Sequence, residues 1–561
     1  MKTIKKHIIY GIGKLQKDFQ YIFDNIDIDY YIEDEEEINK SIYDNTFLVD
    51  RVLDEKSDFL IYVCKRDREK ASYKLKEIGL KYGEDFIFAD ELFPQLDFNL
   101  KEIKKEKKIA VWGRGNSYKS LIENEYILYD DIDVFFDSNM DNITEKLVDY
   151  REIKNINDYF VIVAVMEDFY DVEKKLLEMG IQKSSYVSFK DVMRKNSELM
   201  RKTYFDTTYG DDYKICNMPF EFSTIDASGD MLLCCGNYLT GEIVGNLFFE
   251  KYADVWKGIR AKIQRLAVLN GTYSFCNGMC AFLDKKEKNG ECYKEYEKIN
   301  ITDIPNICSV GIDNSCNLYC SSCRNSIYVA KNAQRIKLEK LKKILLEQVV
   351  AYNPKCMGYA GNGEVFLSDV YQELLLSHKR VENNHLHLIS NGNLFSIKKF
   401  KELTRNFESV SVVISVDAAT EETYNKIRRG GNYKKIIENI KILGEMKKES
   451  VISSFGLAFV LQYNNVHEAR DFVYLAKENN VDRVLFSKLC NWGTYSDDEF
   501  AQKSLYDENG IIKEEYKKYF EDEIFEDEIV DMGTVASAFT NKRFHRHNML
   551  NNCKIKDIRD K

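Results

Sequence analysis

Cys316-Asn-Leu-Tyr-Cys320-Ser-Ser-Cys323 sets three cysteines at C-x3-C-x2-C spacing. Three thiolates this close in sequence can hold three corners of one four-iron cube and leave the fourth iron open to another ligand. An open corner suits a cluster that performs chemistry rather than one that only carries electrons. A zinc knuckle is the competing reading. Zinc prefers a closed set of four ligands, and the only close fourth candidate, Cys308, falls inside a strand pattern.

A second set lies upstream. It comprises Cys216-Asn-Met-Pro-Phe, then Gly229-Asp-Met-Leu-Leu-Cys234-Cys235, then Gly245-Asn246, Trp256, Cys276-Asn-Gly-Met-Cys280 and Cys292. Gly229 reads as a hairpin turn whose second strand carries Cys234 to its far end. Cys216, Cys234, Cys276 and Cys280 can enclose an iron–sulfur cluster or a zinc ion, with Cys235 and Cys292 as substitutes. Of the 14 cysteines only Cys64 precedes Cys216, and ten fall between Cys216 and Cys323. In a reducing compartment such spaced cysteines read as ligands rather than disulfides. Cys64, Cys356, Cys490 and Cys553 read as small buried hydrophobes. Cys490 is the one of these placed to donate a hydrogen atom, because it closes a strand beside Asn491-Trp492.

The elements that position these residues alternate in type. Cys308–Ile312, Met357–Ala360, Leu386–Ser390, Val410–Val416, Leu457–Leu461 and Arg483–Ser487 are strand candidates separated by helical patterns such as Leu338-x-x-Leu341-x-x-x-Leu345. That alternation predicts a parallel α/β sheet, a partial (β/α) barrel, with the cysteine loop at the carboxyl end of its first strand. The histidines His385 and His387 are expected to pack in the core or at the surface on either side of the sheet, and His545 and His547 to lie in a polar tail.

The first 195 residues repeat one unit. His7-Ile-Ile-Tyr-Gly-Ile-Gly13 and Lys108-Ile-Ala-Val-Trp-Gly-Arg-Gly115 each end a strand in G-x-G, and a second strand with a terminal acid follows, Asp29 to Glu33 and Asp133 to Asp137. This predicts two tandem Rossmann-like β-α-β modules. The glycines and acid form the skeleton of a nucleotide site, yet the third glycine of the fingerprint is missing and a ligand-free strand-to-helix turn fits as well. The expected organisation is 1–100 and 101–195 for these modules, 196–300 for the cysteine-rich segment, 301–495 for the partial barrel and 496–561 for a helical extension.

The chain of 561 residues is 44% hydrophobic and 31% charged, with a net charge of −11 and a pI near 5.5. An acidic chain without a basic tract argues against duplex nucleic acid as a partner. The N-terminal segment lacks the apolar region and cleavage site of a signal peptide, and no apolar run is long enough to span a membrane, so a cytoplasmic protein is expected.

Downstream of the cysteine loop, Ala360-Gly-Asn-Gly-Glu-Val365, Ile389-Ser-Asn-Gly-Asn393, Ile414-Ser-Val-Asp-Ala-Ala419 and Tyr424-Asn-Lys-Ile-Arg-Arg-Gly-Gly431 follow the strands in order. The series resembles the radical S-adenosylmethionine (SAM) superfamily. Val365 stands where that family usually has proline, and Ser322 where it often has an aromatic ring. The resemblance implies a [4Fe-4S] cluster on Cys316, Cys320 and Cys323 whose open iron chelates SAM. It further implies reductive cleavage to a 5′-deoxyadenosyl radical and hydrogen abstraction from an unactivated carbon. Gly363 and Glu364 would meet the methionine amino group, Ser415, Asp417 and Arg428 the carboxylate or ribose, and Asn391 the ribose or adenine side. A surface charge is the other reading of Arg428.

The upstream cysteine set is similar to the SPASM/twitch auxiliary-cluster domain of these enzymes, down to Gly-x4-Cys and Gly-Asn…Trp, but it precedes the core instead of following it. This implies one auxiliary [4Fe-4S] cluster that passes electrons or holds substrate, and an electron donor such as flavodoxin or ferredoxin. The tandem modules favour a saccharide or nucleotide-linked substrate (oxidation, epimerisation or deoxygenation). A peptide or protein side chain is the alternative, and a non-catalytic electron carrier or regulator a further one.

Overall fold

A computed structural model describes residues 5–41, 43–55, 58–136, 146–205, 216–234, 242–276, 301–359 and 363–539. The chain divides into two compact units. One comprises Met1–Tyr213, Lys257–Ser274 and Glu291–Asn300, and the other Lys214–Trp256, Phe275–Gly290 and Ile301–Lys561.

The first unit holds two parallel five-stranded sheets. Strands β1 (Lys6–Tyr10), β2 (Tyr30–Glu33), β3 (Thr46–Leu48), β4 (Phe59–Val63) and β5 (Phe86–Phe88) are ordered β3-β2-β1-β4-β5. Strands β6 (Lys108–Trp112), β7 (Val134–Phe136), β8 (Leu147–Val148), β9 (Tyr159–Val163) and β10 (Tyr186–Ser188) are ordered β10-β9-β6-β7-β8, the same topology read backwards. The repeat extends to single hydrogen bonds. Asp29 accepts from His7 N at 2.8 Å and Asp133 from Ile109 N at 2.7 Å. Gly11 and Gly113 sit at φ +99° and +94°, a region only glycine enters freely. Central strands such as β1 and β6 are apolar on both faces because helices cover both sides.

The second unit is built on one ten-stranded sheet, ordered β13-β12-β11-β14-β15-β16-β17-β18-β19-β20. Its strands are β11 (Phe222–Asp226), β12 (Asp230–Leu232), β13 (Gly245–Asn246), β14 (Ile307–Gly311), β15 (Cys356–Tyr359), β16 (His385–Ser390), β17 (Ser409–Ser415), β18 (Ser454–Leu461), β19 (Arg483–Lys488) and β20 (Val530–Asp531). The six strands β14 to β19 are parallel neighbours in chain order, the partial barrel. The hairpin of β11 and β12 joins the same sheet through β11, which runs parallel to β14.

Alternation along the strands assigns the two faces. Phe459 of β18 and Phe486 of β19 pack on Phe472 of the helix Ala469–Glu478. Ser454, Ala458 and Val460 therefore face the inner side. The helix Asn332–Gln348 buries Leu338, Leu341, Ile344 and Leu345, the spacing its sequence shows. His385 and His387 do not lie on opposite sides of the sheet. They are two residues apart on a strand and so share a face, where the His385 ring bonds Ser409 and Ser411 Oγ at 3.0 and 2.9 Å, and His387 bonds Ser411 Oγ at 2.8 Å. Among the described residues no helix is long and apolar enough to cross a membrane. His545 and His547 lie outside the described residues.

Candidate functional site

The cysteine loop leaves the carboxyl end of β14 and is held from three directions. Cys316 N donates to Tyr328 O at 2.8 Å. Tyr319 N and Ser321 N donate to Arg429 O and Ile427 O at 3.0 and 2.9 Å, and Arg429 Nε returns a bond to Tyr319 O at 2.9 Å. Glu364 N donates to Ser315 O at 2.8 Å. A Cβ built at Gly363 would run into Asp313 O and lie 2.7 Å from Ser315 O, so glycine is what lets the turn after β15 approach the loop.

Each cysteine sulfur of the loop receives N–H donors. Leu318 N and Asn391 Nδ2 approach Cys316 Sγ at 3.5 and 3.7 Å. Arg428 Nη1 lies 3.7 Å from Cys320 Sγ, and Arg324 Nε 3.4 Å from Cys323 Sγ. Burial pushes the Cys316 and Cys320 thiols up, against the pull of these donors and cations. The donor set fits an iron–sulfur cube. Among the described residues, only Glu33, Asp34 and Glu37 form a three-ligand group within 4.8 Å. At least one pair of the loop sulfurs is therefore more than 4.8 Å apart, wider than the roughly 3.8 Å between thiolates on one zinc ion.

The remaining motif residues line the carboxyl ends of the next strands. Glu364 is 1% exposed and accepts from Ser390 Oγ and Asn391 N, each at 2.7 Å. Burial raises its carboxyl, and those donors with the Phe366 N–H oppose the rise. Asn391 bridges onward to Asn317 Oδ1 at 3.0 Å. Asn393 donates to Tyr424 OH at 2.7 Å and accepts from Asn432 N at 2.7 Å. Ser415 ends β17 half-buried. Asp417 sits at φ +62°, accepts from Val460 N at 2.8 Å and pairs with Arg428 Nη2 at 2.7 Å. Burial pushes Asp417 up and Arg428 draws it down. Arg428 is therefore no surface charge: its buried guanidinium ties the end of β17 to Cys320. Cys490, two residues beyond β19, is half-buried at the same end of the sheet, with Sγ 3.9 Å from Lys488 O and its thiol raised by burial.

Cys216 precedes β11 and Cys234 follows the antiparallel β12, so both return to the amino-terminal end of the sheet, opposite the Cys316 loop. They join Met218, Phe222, Leu232, Ile307 and Cys356 in one apolar cluster. Cys276 is half-buried; Cys280, Cys235 and Cys292 lie outside the described residues. Sequence reasoning missed Arg324 and Asp313. Arg324 follows Cys323 directly, and it also donates to Asn314 O at 2.6 Å. Asp313 is 2% exposed and accepts from Ser315 N at 2.8 Å.

The radical SAM superfamily model matches residues 312–475. The chain carries a radical SAM domain. Such domains bind a [4Fe-4S] cluster and SAM. Solved structures similar to this chain include SuiB of Streptococcus suis bound to S-adenosylmethionine (15% identity, 43% of this chain and 54% of that one, TM-score 0.30). Another is anSMEcpe with bound AdoMet (20% identity, 33% of this chain and 51% of that one, TM-score 0.24). The chain spans about half the length of these relatives. A search of the curated proteins finds no match.

Proposed function

We propose that the chain is a radical SAM enzyme that abstracts hydrogen from an unactivated carbon. The observation that carries this is the convergence of Cys316, Cys320 and Cys323, each with its own N–H donor, on the carboxyl ends of strands that bear Glu364, Asn391 and Ser415. Cys316, Cys320 and Cys323 would hold the cluster there, and it would supply the electron for reductive cleavage of SAM. The chain's part is placement. Gly363 brings its turn against the loop, and the buried Glu364 carboxylate, held by Ser390 and Asn391, fixes that turn where the methionine amino group would bind. Ser415 and Asn391 offer hydrogen bonds at the strand ends, and the Asp417–Arg428 pair keeps the loop against β17. Cys490 stands at the same end of the sheet, where a thiol could return a hydrogen atom.

A second cluster on Cys216, Cys234, Cys276 and Cys280 accords with the SPASM-like spacing. Its ligands Cys216 and Cys234 lie beyond the opposite end of β11, about 16 Å of strand away from the radical end. That favours passing electrons over holding substrate. The two β-α-β sheets favour a saccharide or nucleotide-linked substrate, modified by oxidation, epimerisation or deoxygenation. Anaerobic reconstitution with iron and sulfide, followed by reduction with SAM, is expected to release 5′-deoxyadenosine, and Cys316→Ala to abolish the release. Iron incorporation without any 5′-deoxyadenosine from the native chain would leave an electron carrier. Turnover of a peptide in place of a sugar would move the substrate to the other class.

A further inference from the structure

The loop beyond Cys323 presents three apolar side chains in a row to solvent: Ile327 is 56% exposed, Tyr328 37% and Val329 47%. An exposed run of this kind marks a contact surface more often than a bare one. It lies against the cysteine loop, because Tyr328 bridges antiparallel to Cys316 and Ala330 N donates to Ser315 Oγ at 2.9 Å. Of the three cysteines Cys323 is the outermost: it is exposed, whereas Cys320 is half-buried and Cys316 buried. The apolar run begins four residues after that outermost cysteine.

The same stretch is basic. Between Arg324 and Lys343 seven Lys and Arg side chains stand against one acid, Glu339, in a chain of net charge −11. Part of that charge is already spent: Arg335 pairs with Glu339 and Asp369, and Lys342 with Glu339 and Glu373. Lys331 and Lys343 are exposed, and among the described residues no carboxylate pairs with either. Lys331 stands between the apolar run and the helix Asn332–Gln348. That helix turns Ile336, 60% exposed, and Lys343 to solvent two turns apart on one side.

We propose that this face docks an acidic electron-carrier protein, which delivers the single electron that SAM cleavage requires. The proposal rests on the radical SAM reading. A substrate must reach the carboxyl ends of the strands, whereas a reductant need only reach an outer edge of the cluster, and Cys323 offers that edge. The carrier loses one electron and the cluster that Cys316, Cys320 and Cys323 would hold gains it; no bond forms or breaks in that step. Ile327, Tyr328 and Val329 exclude water from the contact, and Lys331 and Lys343 steer an acidic surface onto it against the repulsion of the chain's net charge.

The test is the rate of 5′-deoxyadenosine formation from SAM by the reconstituted full chain, driven by reduced flavodoxin, by reduced ferredoxin or by titanium(III) citrate. The double variant Ile327→Asp, Lys331→Glu is expected to slow the rate with at least one protein donor about tenfold or more. Its rate with titanium(III), a reductant that needs no docking face, should equal that of the native chain. Added salt should slow the protein-driven rate alone. Lys448→Glu, exposed at the opposite end of the sheet, should change neither. An equal loss with titanium(III), an equal loss in Lys448→Glu, or a native chain that titanium(III) reduces and neither carrier does would each overturn the proposal. A dimer in sedimentation that the double variant dissociates would overturn it by giving the face to a second copy. No 5′-deoxyadenosine with any of the three reductants would sink the radical SAM reading itself, and the proposal with it.

Discussion

Arg428 is held before any ligand arrives. Its spacing suggested contact with SAM or a place at the surface; its guanidinium pairs with Asp417 and approaches Cys320. Removing one member of a buried pair leaves the other charge uncompensated, so Arg428→Met is expected to cost about 3–5 kcal/mol. Adding Asp417→Asn should recover part of that loss; thermal melts of the single and double variants decide. Gly363 acts by having no side chain. Gly363→Ala drives a methyl group into Asp313 O and is expected to lower 5′-deoxyadenosine yield about a hundredfold, as an ångström-scale misplacement does. A yield equal to that of the native chain would show that the turn can move without loss. Both residues were legible as motif members, whereas Arg324 was not, because its contacts with Cys323 and Asn314 depend on how the loop folds back.

At the scale of elements, strands and helices of the partial barrel were readable because apolar runs of strand length alternate with 3.6-residue periodicity. The strand expected at Leu457–Leu461 starts earlier, at Ser454, since Ser454 and Gly456 carry no apolar signal and are recruited by pairing with β17. His378, just after the helix Asp369–Ser377, gives this layer a pH dependence. It lies between Tyr359 OH at 2.8 Å and Asn353 Oδ1 at 3.1 Å, and burial pushes it down to about 4 from the usual 6.5. Between those values the unfolded chain binds a proton that the folded chain refuses. The His378 contribution is therefore complete above about pH 6.5 and is lost as pH falls toward 4. His378→Gln, which keeps a donor and an acceptor but cannot charge, should show a smaller fall in melting temperature between pH 7 and pH 5 than the native chain. Parallel curves would assign the acid sensitivity to other groups.

For the whole molecule, Cys216 and Cys234 lie at the opposite end of the same sheet from the Cys316 loop. Radical initiation and the proposed second cluster should then separate: Cys276→Ala is expected to keep SAM cleavage and stop turnover of the true substrate, read as 5′-deoxyadenosine formed without product. Loss of both activities would place the second cysteine set in the support of the barrel itself. The sequence alone determined the α/β class, the tandem repeat and the order of the radical SAM motifs, because each is written in local spacing and periodicity. Tertiary structure alone decided that β11 joins β14, sending Cys216 and Cys234 away from the radical end, and that Glu33 turns inward onto Ile12 and Lys65. Those outcomes depend on strand pairing and on which partner desolvates a charge, and neither is encoded within a few residues of chain.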